Sequence, residues 1–175
     1  MAARNPIEQI RLLVTGGTID KSYCPVEGAL SFSRTHLLAM LKQARVLLPE
    51  EQVQTLLLKD SLDLTEADRE VICQAAVAAP ETKIIVTHGT DTMVQTATRM
   101  AARRLPKTIV LVGALVPYTF SNSDGLFNLG LAFGAVQLLP TGVYVAMNGR
   151  IFPWNAVRKN TAQGVFESIT PLPES

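Results

Sequence analysis

Short apolar segments alternate along this chain with longer segments whose apolar residues recur at helical spacing. Five segments have the length and composition of buried strands, at residues 10–14, 53–58, 83–86, 108–112 and 143–147. Strands that alternate with helices pair in parallel and are covered on both faces. Because such crossovers are right-handed, the pattern predicts an α/β fold, a single doubly wound, mostly parallel sheet with helices on both faces.

The segments between the strands carry signals for helix starts. Thr65 with Asp68, and Thr92 with Gln95, have the spacing of capping boxes, in which each side chain binds the other residue's backbone N–H. Ser33 is a candidate N-cap for an earlier helix. The sequence therefore predicts helices that begin after these three positions.

The last third of the chain contains a helix signal without a polar face. This helix is predicted from Asp124 to about residue 139, and we expect it in the core or against another subunit. Asn148-Gly149 is a strong turn signal and predicts a C-terminal β-hairpin. Since no linker composition or repeat interrupts the chain, residues 1–175 are expected to form one domain with a loose tail over 170–175.

The composition limits the kinds of partner that the chain can have. A formal net charge of +1 offers no basic stripe for nucleic acid, and no apolar stretch approaches the roughly 20 residues of a membrane span. Cys24 and Cys73 have no metal-ligand spacing, and His36 and His88 are too few for a usual zinc set, so no metal or other cofactor is expected. Two reduced thiols and the lack of a signal peptide predict a cytoplasmic protein.

Small and polar residues follow three of the predicted strands. The first strand ends in Thr15-Gly16-Gly17-Thr18, the second in Asp60-Ser61 and the third in Gly89-Thr90-Asp91. In an open parallel sheet such ends meet at one edge, where ligands bind. Glycines there let the backbone approach a ligand, and hydroxyls beside a carboxylate suit a substrate with both an ammonium and a carboxylate. By itself this pattern indicates a polar crevice and names no reaction.

Each of these residues also has a simpler structural interpretation. Gly16-Gly17 can form a tight turn, Thr92 can cap a helix, and Asp91 can interact with a helix dipole. Ser61 can be an ordinary turn residue, and His88 is expected to be a buried, hydrogen-bonded structural histidine. The glycines match neither dinucleotide-binding nor phosphate-loop spacing, so nucleotide binding has little support.

Five segments resemble the bacterial-type L-asparaginases. The family's two signatures are similar to Thr15-Gly16-Gly17-Thr18-Ile19 and His88-Gly89-Thr90-Asp91-Thr92-Met93, and its substrate-binding turn is similar to Asp60-Ser61-Leu62-Asp63-Leu64. Residues 112–117 and 123–129 resemble its core segments. The likeness extends from about residue 10 to residue 166, so it implies the fold of the family's N-terminal domain and a small-molecule amide as substrate.

The resemblance implies a two-step acyl transfer. A threonine at the position of Thr18 attacks the side-chain amide of asparagine and releases ammonia, and water then frees aspartate. The implied catalytic partners are Thr90, Asp91, Lys159 and, from the loop after the first signature, Tyr23. The implied substrate-binding residues are Ser61 for the α-carboxylate and Asp91 for the α-ammonium, with Thr90, Gly17, Asp60 and Gly89 around them.

The family's usual subunit carries a second α/β domain that helps to close the site. For this chain we expect a second copy of the same domain to complete the site, in a homodimer or a higher homo-oligomer. Glutamine or a broader range of amides is an alternative substrate within the same class. A small-molecule binding or regulatory module without turnover is the alternative from another class.

Overall fold

A six-stranded sheet lies at the centre of the protein, and the computed structural model describes residues 6–170 around it. The strands are β1 (Ile10–Gly16), β2 (Ser22–Cys24), β3 (Ala29–Ser31), β4 (Val53–Lys59), β5 (Lys83–Thr87), β6 (Thr108–Val112), β7 (Gly142–Met147), β8 (Arg150–Pro153), β9 (Val157–Asn160) and β10 (Val165–Ser168). The helices are α1 (Leu37–Gln43), α2 (Glu66–Ala78), α3 (Met93–Ala101) and α4 (Gly125–Leu138).

The order of the strands confirms the predicted fold class. The central sheet runs β4-β1-β5-β6-β7-β8, and every neighbouring pair is parallel except β7 with β8. On β1, Leu12 and Val14 face the side covered by α1 and α4, whereas Leu13 faces the side covered by α2 and α3. Because both faces are covered, the four inner strands β1, β5, β6 and β7 are apolar along most of their length and do not alternate regularly with polar residues.

Only one of the two predicted capping boxes forms. At the start of α2, Thr65 and Asp68 bind each other's backbone N–H, as the sequence predicts. The second prediction is wrong, because Thr92 donates its Oγ1 hydrogen to Ser61 O at 2.7 Å and makes no cap bond to α3. Gln95 is used in a contact with Arg69. Long-range partners therefore replace the local ones at this helix.

The predicted N-cap of α1 is also wrong. The helix begins at Leu37 with His36 in the N-cap position, three residues after the expected Ser33. Thr35 Oγ1 and His36 N both donate to Asp20 Oδ1, at 3.0 and 2.7 Å. The start of α1 is thus fixed by a carboxylate from another part of the chain, which no local pattern encodes.

Helix α4 begins after Asp124, as predicted, and is buried on one side. Leu129, Phe133 and Val136 pack into the core, whereas Phe127 and Leu138 are 66% and 87% exposed. The outer surface of α4 is therefore open in the single chain, and burial of this surface against another subunit stays a prediction.

Hairpins complete the fold. Asn148 and Gly149 connect β7 to β8 with φ values of 55° and 74°, the positive values that a tight hairpin turn requires, so the predicted C-terminal hairpin is confirmed. A further hairpin, β9–β10, follows it and places Lys159 opposite Phe166. A third hairpin, β2–β3, follows the first signature. Most of the predicted loose tail, residues 171–175, lies outside the described residues.

Candidate active site

The carboxyl ends of β1, β4 and β5 are locked together by backbone contacts. Gly17 N donates to Lys59 O at 2.9 Å. A Cβ atom on Gly17 would lie 2.3 Å from Gly89 N, and a Cβ atom on Gly89 would lie 2.6 Å from Ser61 Oγ. No side chain fits at either glycine without displacing its neighbours. The structure thus brings together the three polar segments that the topology predicted at one edge of the sheet.

Thr18 opens a single 3₁₀ turn, Thr18–Asp20, directly after β1. Gly17 before it has φ 78° and ψ 178°, a conformation that L side chains rarely adopt. The turn is closed by hydrogen bonds from Asp20 N to Gly17 O and from Lys21 N to Thr18 O, at 3.0 and 3.1 Å. Thr18 is partly buried. Its hydroxyl is therefore carried by a short, well-bonded turn at the edge where the strand ends meet.

Lys159 joins the third polar segment from the β9–β10 hairpin. Its Nζ donates to Thr90 Oγ1 at 2.8 Å and to Asp91 Oδ1 at 2.7 Å. Thr90 is buried, the Lys159 side chain is 15% exposed, and the Asp91 side chain is 39% exposed. Since Thr90 Oγ1 accepts from the ammonium, its own O–H stays available to donate. A threonine hydroxyl, an ammonium and a carboxylate are thereby held in one cluster with a path to solvent.

The segment after β4 contributes the buried hydroxyl of Ser61 and the carboxylate of Asp60, whose two oxygens both already accept hydrogen bonds. Ser61 is fully buried, and within residues 6–170 its Oγ has no hydrogen-bond partner. Asp60 accepts from Leu62 N through Oδ1 and pairs with Lys21 through Oδ2. Burial opposes ionisation of Asp60, but the bonds from Lys21 and Leu62 N outweigh it and hold the pKa of the carboxyl below its usual range. Ser61 therefore retains a free donor, whereas both oxygens of Asp60 are already used.

Tyr23 makes no hydrogen bond to this cluster within the described residues. It stands on β2 opposite Leu30 and is 57% exposed, and among the described residues no hydrogen bond joins it to Thr18 or Thr90. The hairpin is fixed at its base by a 2.8 Å bond between Ser22 Oγ and His36 Nε2. The loop expected after the first signature is thus a two-stranded hairpin anchored to the start of α1.

The family model of the asparaginase N-terminal region matches residues 9–172. The chain belongs to the asparaginase family. It is 29% identical to L-asparaginase 1 of Escherichia coli K12 over 175 residues, which cover 94% of this chain and 51% of the relative. It is 40% identical over 83 residues to the glutaminase-asparaginase of Acinetobacter glutaminasificans, covering 43% of this chain and 24% of the relative.

A solved asparaginase has the same fold. The structure of the thermostable L-asparaginase from Thermococcus kodakarensis superposes with a TM-score of 0.79 at 29% identity, over 91% of this chain and 51% of that one. This asparaginase-family chain therefore spans about half the length of the full-length relatives that it matches.

Two residues at this candidate site were not assigned a role by the sequence. Lys21, three residues after Thr18, links the Thr18 turn to Asp60. Asp20 beside it is fully buried. A charged pair directly after an apolar strand and a glycine turn is the one local signal that could have marked them, because such residues need partners.

The prediction that His88 is structural is confirmed. Its Nδ1–H donates to Gly89 O and its Nε2 accepts from Thr96 Oγ1, both at 2.7 Å. Burial lowers the pKa of His88 to about 4, so the ring is neutral at physiological pH. The ring orients the Gly89 carbonyl and with it the segment that carries Thr90.

Within residues 6–170, no group of three or more His, Cys, Asp or Glu side chains is arranged to hold a metal ion. Over the same part of the chain, no helix is both long and apolar enough to cross a membrane.

Proposed function

We propose that this chain hydrolyses the side-chain amide of L-asparagine to L-aspartate and ammonia, with Thr18 as the nucleophile. The observation that carries the proposal is the contact of Lys159 Nζ with both Thr90 Oγ1 and Asp91 Oδ1. This contact lies at the edge of the sheet that also carries the Thr18 turn. A weak hydroxyl nucleophile needs a neighbouring group that takes its proton. The Lys159–Thr90–Asp91 cluster supplies titratable and hydroxyl groups for that purpose.

In the first step Thr18 Oγ forms a bond to the amide carbon, and its proton passes through the cluster to the departing nitrogen. The C–N bond breaks, ammonia leaves and an aspartyl ester of Thr18 remains. In the second step water adds to the ester carbon, the C–O bond to Thr18 breaks, and the proton returns to Thr18 Oγ. Backbone N–H groups near Thr18 and Thr90 would stabilise the oxyanion in both steps.

The charges around the cluster suit an amino-acid head group. Ser61 Oγ is an unpaired donor for the α-carboxylate. Asp91 Oδ2 has no partner among the described residues and would accept from the α-ammonium. Asp60 is bonded through both oxygens, and Gly17 and Gly89 are in tight contact, so these three would shape the wall of the site.

We assign Tyr23 to a covering role. It stands on the exposed β2–β3 hairpin, whose base is tied to His36, and the turn between its strands is open to solvent. A hairpin of this kind can close over a bound substrate and exclude water. Tyr23 would then reach Thr18 only in the closed state.

We further propose that the outer face of α4 packs against a second copy of the chain. This face exposes Phe127 and Leu138, and a Cβ atom on Gly130 or Gly134 would meet nothing within 4 Å, so another backbone can approach closely. The helix carries no charged residue, and a two-fold contact would therefore bury no unpaired charge. Sedimentation should show a dimer or larger assembly that Phe127→Asp dissociates and that Leu47→Asp, at an exposed site elsewhere, does not.

The free thiols of Cys24 and Cys73 suit a reducing compartment such as the cytoplasm. Glutamine is a second candidate substrate, since one relative is named a glutaminase-asparaginase.

The proposal is tested by ammonia release from asparagine and from glutamine by the purified chain. Thr18→Ala and Thr90→Val should each abolish release, whereas Thr55→Ala, on an exposed part of β4, should not. Release that survives Thr18→Ala would refute the nucleophile. If the intact chain binds aspartate and releases no ammonia from either amide, the chain is a binding module.

A further inference from the structure

Asp20 is a buried carboxylate that the proposed chemistry does not use. It is fully buried, Oδ1 accepts from Thr35 Oγ1 and His36 N, and Oδ2 has no hydrogen-bond partner within residues 6–170. A buried carboxylate with one unpaired oxygen destabilises a fold, because the hydrogen bonds within the protein replace only part of the hydration that the charge had in water. A neutral side chain with the same Oδ1 acceptor would fill the position at lower cost.

The position of Asp20 suggests what the charge provides. The turn that carries Thr18 is held on one side by Gly17 N, which donates to Lys59 O, and by the close packing of Gly17 on Gly89. On the other side, the Asp20 side chain fixes the end of the turn to the residues that precede α1. Thr18 lies between these two attachments.

Within residues 6–170, no hydrogen bond joins the Asp20 side chain to Thr18. Its link to the nucleophile is the backbone of the turn, where Asp20 N donates to Gly17 O and Lys21 N donates to Thr18 O. Because hydrogen bonds to an ionised acceptor are about twice as strong as those to a neutral one, the charge makes this attachment stiffer.

We propose that Asp20 is a positioning residue, whose ionised carboxylate clamps the Thr18 turn to the start of α1 and so holds the nucleophile in place for attack. The proposal rests on the proposed function for its catalytic consequence, but the clamp itself is a property of the fold.

The protonation state of Asp20 agrees with this role. Burial raises the pKa of Asp20 to about 6, against the lowering effect of the bonds from His36 N and Thr35. The charge is therefore present at neutral pH and is lost in mild acid. The titratable or charged groups nearby are His36 and Arg34 ahead of α1, Tyr118, whose ring lies 5.9 Å from that of His36, and Lys21, which is paired with Asp60.

The central test is Asp20→Asn, which keeps the Oδ1 acceptor and removes the charge. We expect kcat for the amide to fall by about tenfold or more, since small displacements of a reacting group have large effects on rate. The affinity for L-aspartate, measured by calorimetry, should stay unchanged because Ser61 and Asp91 are untouched. The thermal unfolding midpoint at pH 8 should not fall below that of the wild type.

Thr35→Val removes one donor to Asp20 and the acceptor of Leu37 N at the start of α1, and it leaves the carboxylate in place. It should lower kcat less than Asp20→Asn, and the double variant should lose less than the two single losses combined, as expected for groups in one network. Asp68→Asn, which neutralises a carboxylate in the α2 cap, is the control and should leave kcat unchanged.

The pH dependence of kcat tests the charge of Asp20 directly. An inflection of kcat near pH 6 should be present in the wild type and in His36→Asn, and absent in Asp20→Asn.

Hydrogen exchange separates the clamp from the activity. In Asp20→Asn the backbone amides of His36 and Lys21 should exchange about fivefold faster, the effect of exchanging a charged for a neutral acceptor. Faster exchange in a chain without any amidase activity would retain the clamp and refute only the proposed function. Unchanged kcat, or a loss of kcat that accompanies equal losses of aspartate affinity and of thermal stability, would overturn the positioning role.

Discussion

Lys159 Nζ lies 2.8 Å from Thr90 Oγ1, although 69 residues separate them in the sequence. The lysine is carried by the β9–β10 hairpin, outside the central sheet, and the threonine by the segment after β5. Lys159 Nζ also lies 2.7 Å from Asp91 Oδ1, so the hairpin contributes a side chain to the candidate site. Predictions about the site therefore extend to residues far from the two sequence signatures.

Lys159→Met should lower kcat by about 10² or more, the usual size of a lost acid–base partner. Lys159→Arg should recover only part of that loss, because a guanidinium keeps the charge and does not give up its proton. Steady-state ammonia release measures both variants. Lys59→Met removes a lysine at the end of β4 that pairs with Asp68, so it is the matched control. Equal activities of Lys159→Met and Lys59→Met would exclude Lys159 from the reaction.

Gly17→Ala should destabilise the fold and abolish activity, since the new Cβ atom would lie 2.3 Å from Gly89 N. Gly28→Ala provides the comparison, because Gly28 has φ 64° and no atom within 4 Å of its ideal Cβ position. Both substitutions carry the cost of a positive φ, about 1 kcal/mol or more, and only Gly17→Ala adds a clash. Urea unfolding should show a clearly larger loss for Gly17→Ala; similar losses would mean that the strand ends are not in tight contact.

His88 should make the fold sensitive to acid. Its pKa is about 4 in the folded state, below the ordinary value of 6.5, so the folded state binds the proton less readily than the unfolded state. The stabilisation is complete above pH 6.5 and is lost as the pH falls through 4, to a total of about 3 kcal/mol. Unfolding free energies between pH 7.5 and pH 4 test this for wild type and His88→Asn.

Comparing the wild type with His88→Asn isolates the contribution of His88, since Asp20 titrates in both. Asp20 affects the pH dependence of stability in the opposite direction. Its raised pKa makes its stabilising contribution largest in acid, and that contribution is lost as the pH rises through 6. Parallel pH curves for wild type and His88→Asn would contradict the assignment.

Thr92→Val should lower activity more than its effect on helix stability explains. Thr92 Oγ1 donates to Ser61 O and makes no cap bond to α3, so its loss should shift the segment that carries the Ser61 hydroxyl. We expect an increase in KM for the amide with a smaller change in kcat. Thr98→Val, which removes only a bond to Val94 O within α3, is the control; an equal KM for both variants would argue against the link.

The positions of the five parallel strands, the capping box at Thr65 and the turn at Asn148-Gly149 follow from the sequence, whereas the β2–β3 and β9–β10 hairpins were not predicted. Each depends on residues within one or two turns of each other, so the local pattern contains the whole interaction. The edge at which the polar segments meet follows as well, because parallel strands joined by helices end on the same side. The resemblance to a family, and not the pattern, assigned roles to Thr18, Thr90 and Lys159.

The remaining features depend on partners that are distant in sequence. Thr92 binds Ser61 O and does not form the expected cap. Helix α1 begins later than predicted, because Asp20 binds Thr35 and His36 N. In both cases a long-range hydrogen bond forms instead of the local one that the sequence pattern favours, since tertiary contacts commonly override local preferences. The same holds for Lys159, which only the folded hairpin brings to Thr90. The sequence by itself thus determined the layer and the edge of the site, and the tertiary structure decided which side chains meet there, because those contacts join residues that no local spacing relates.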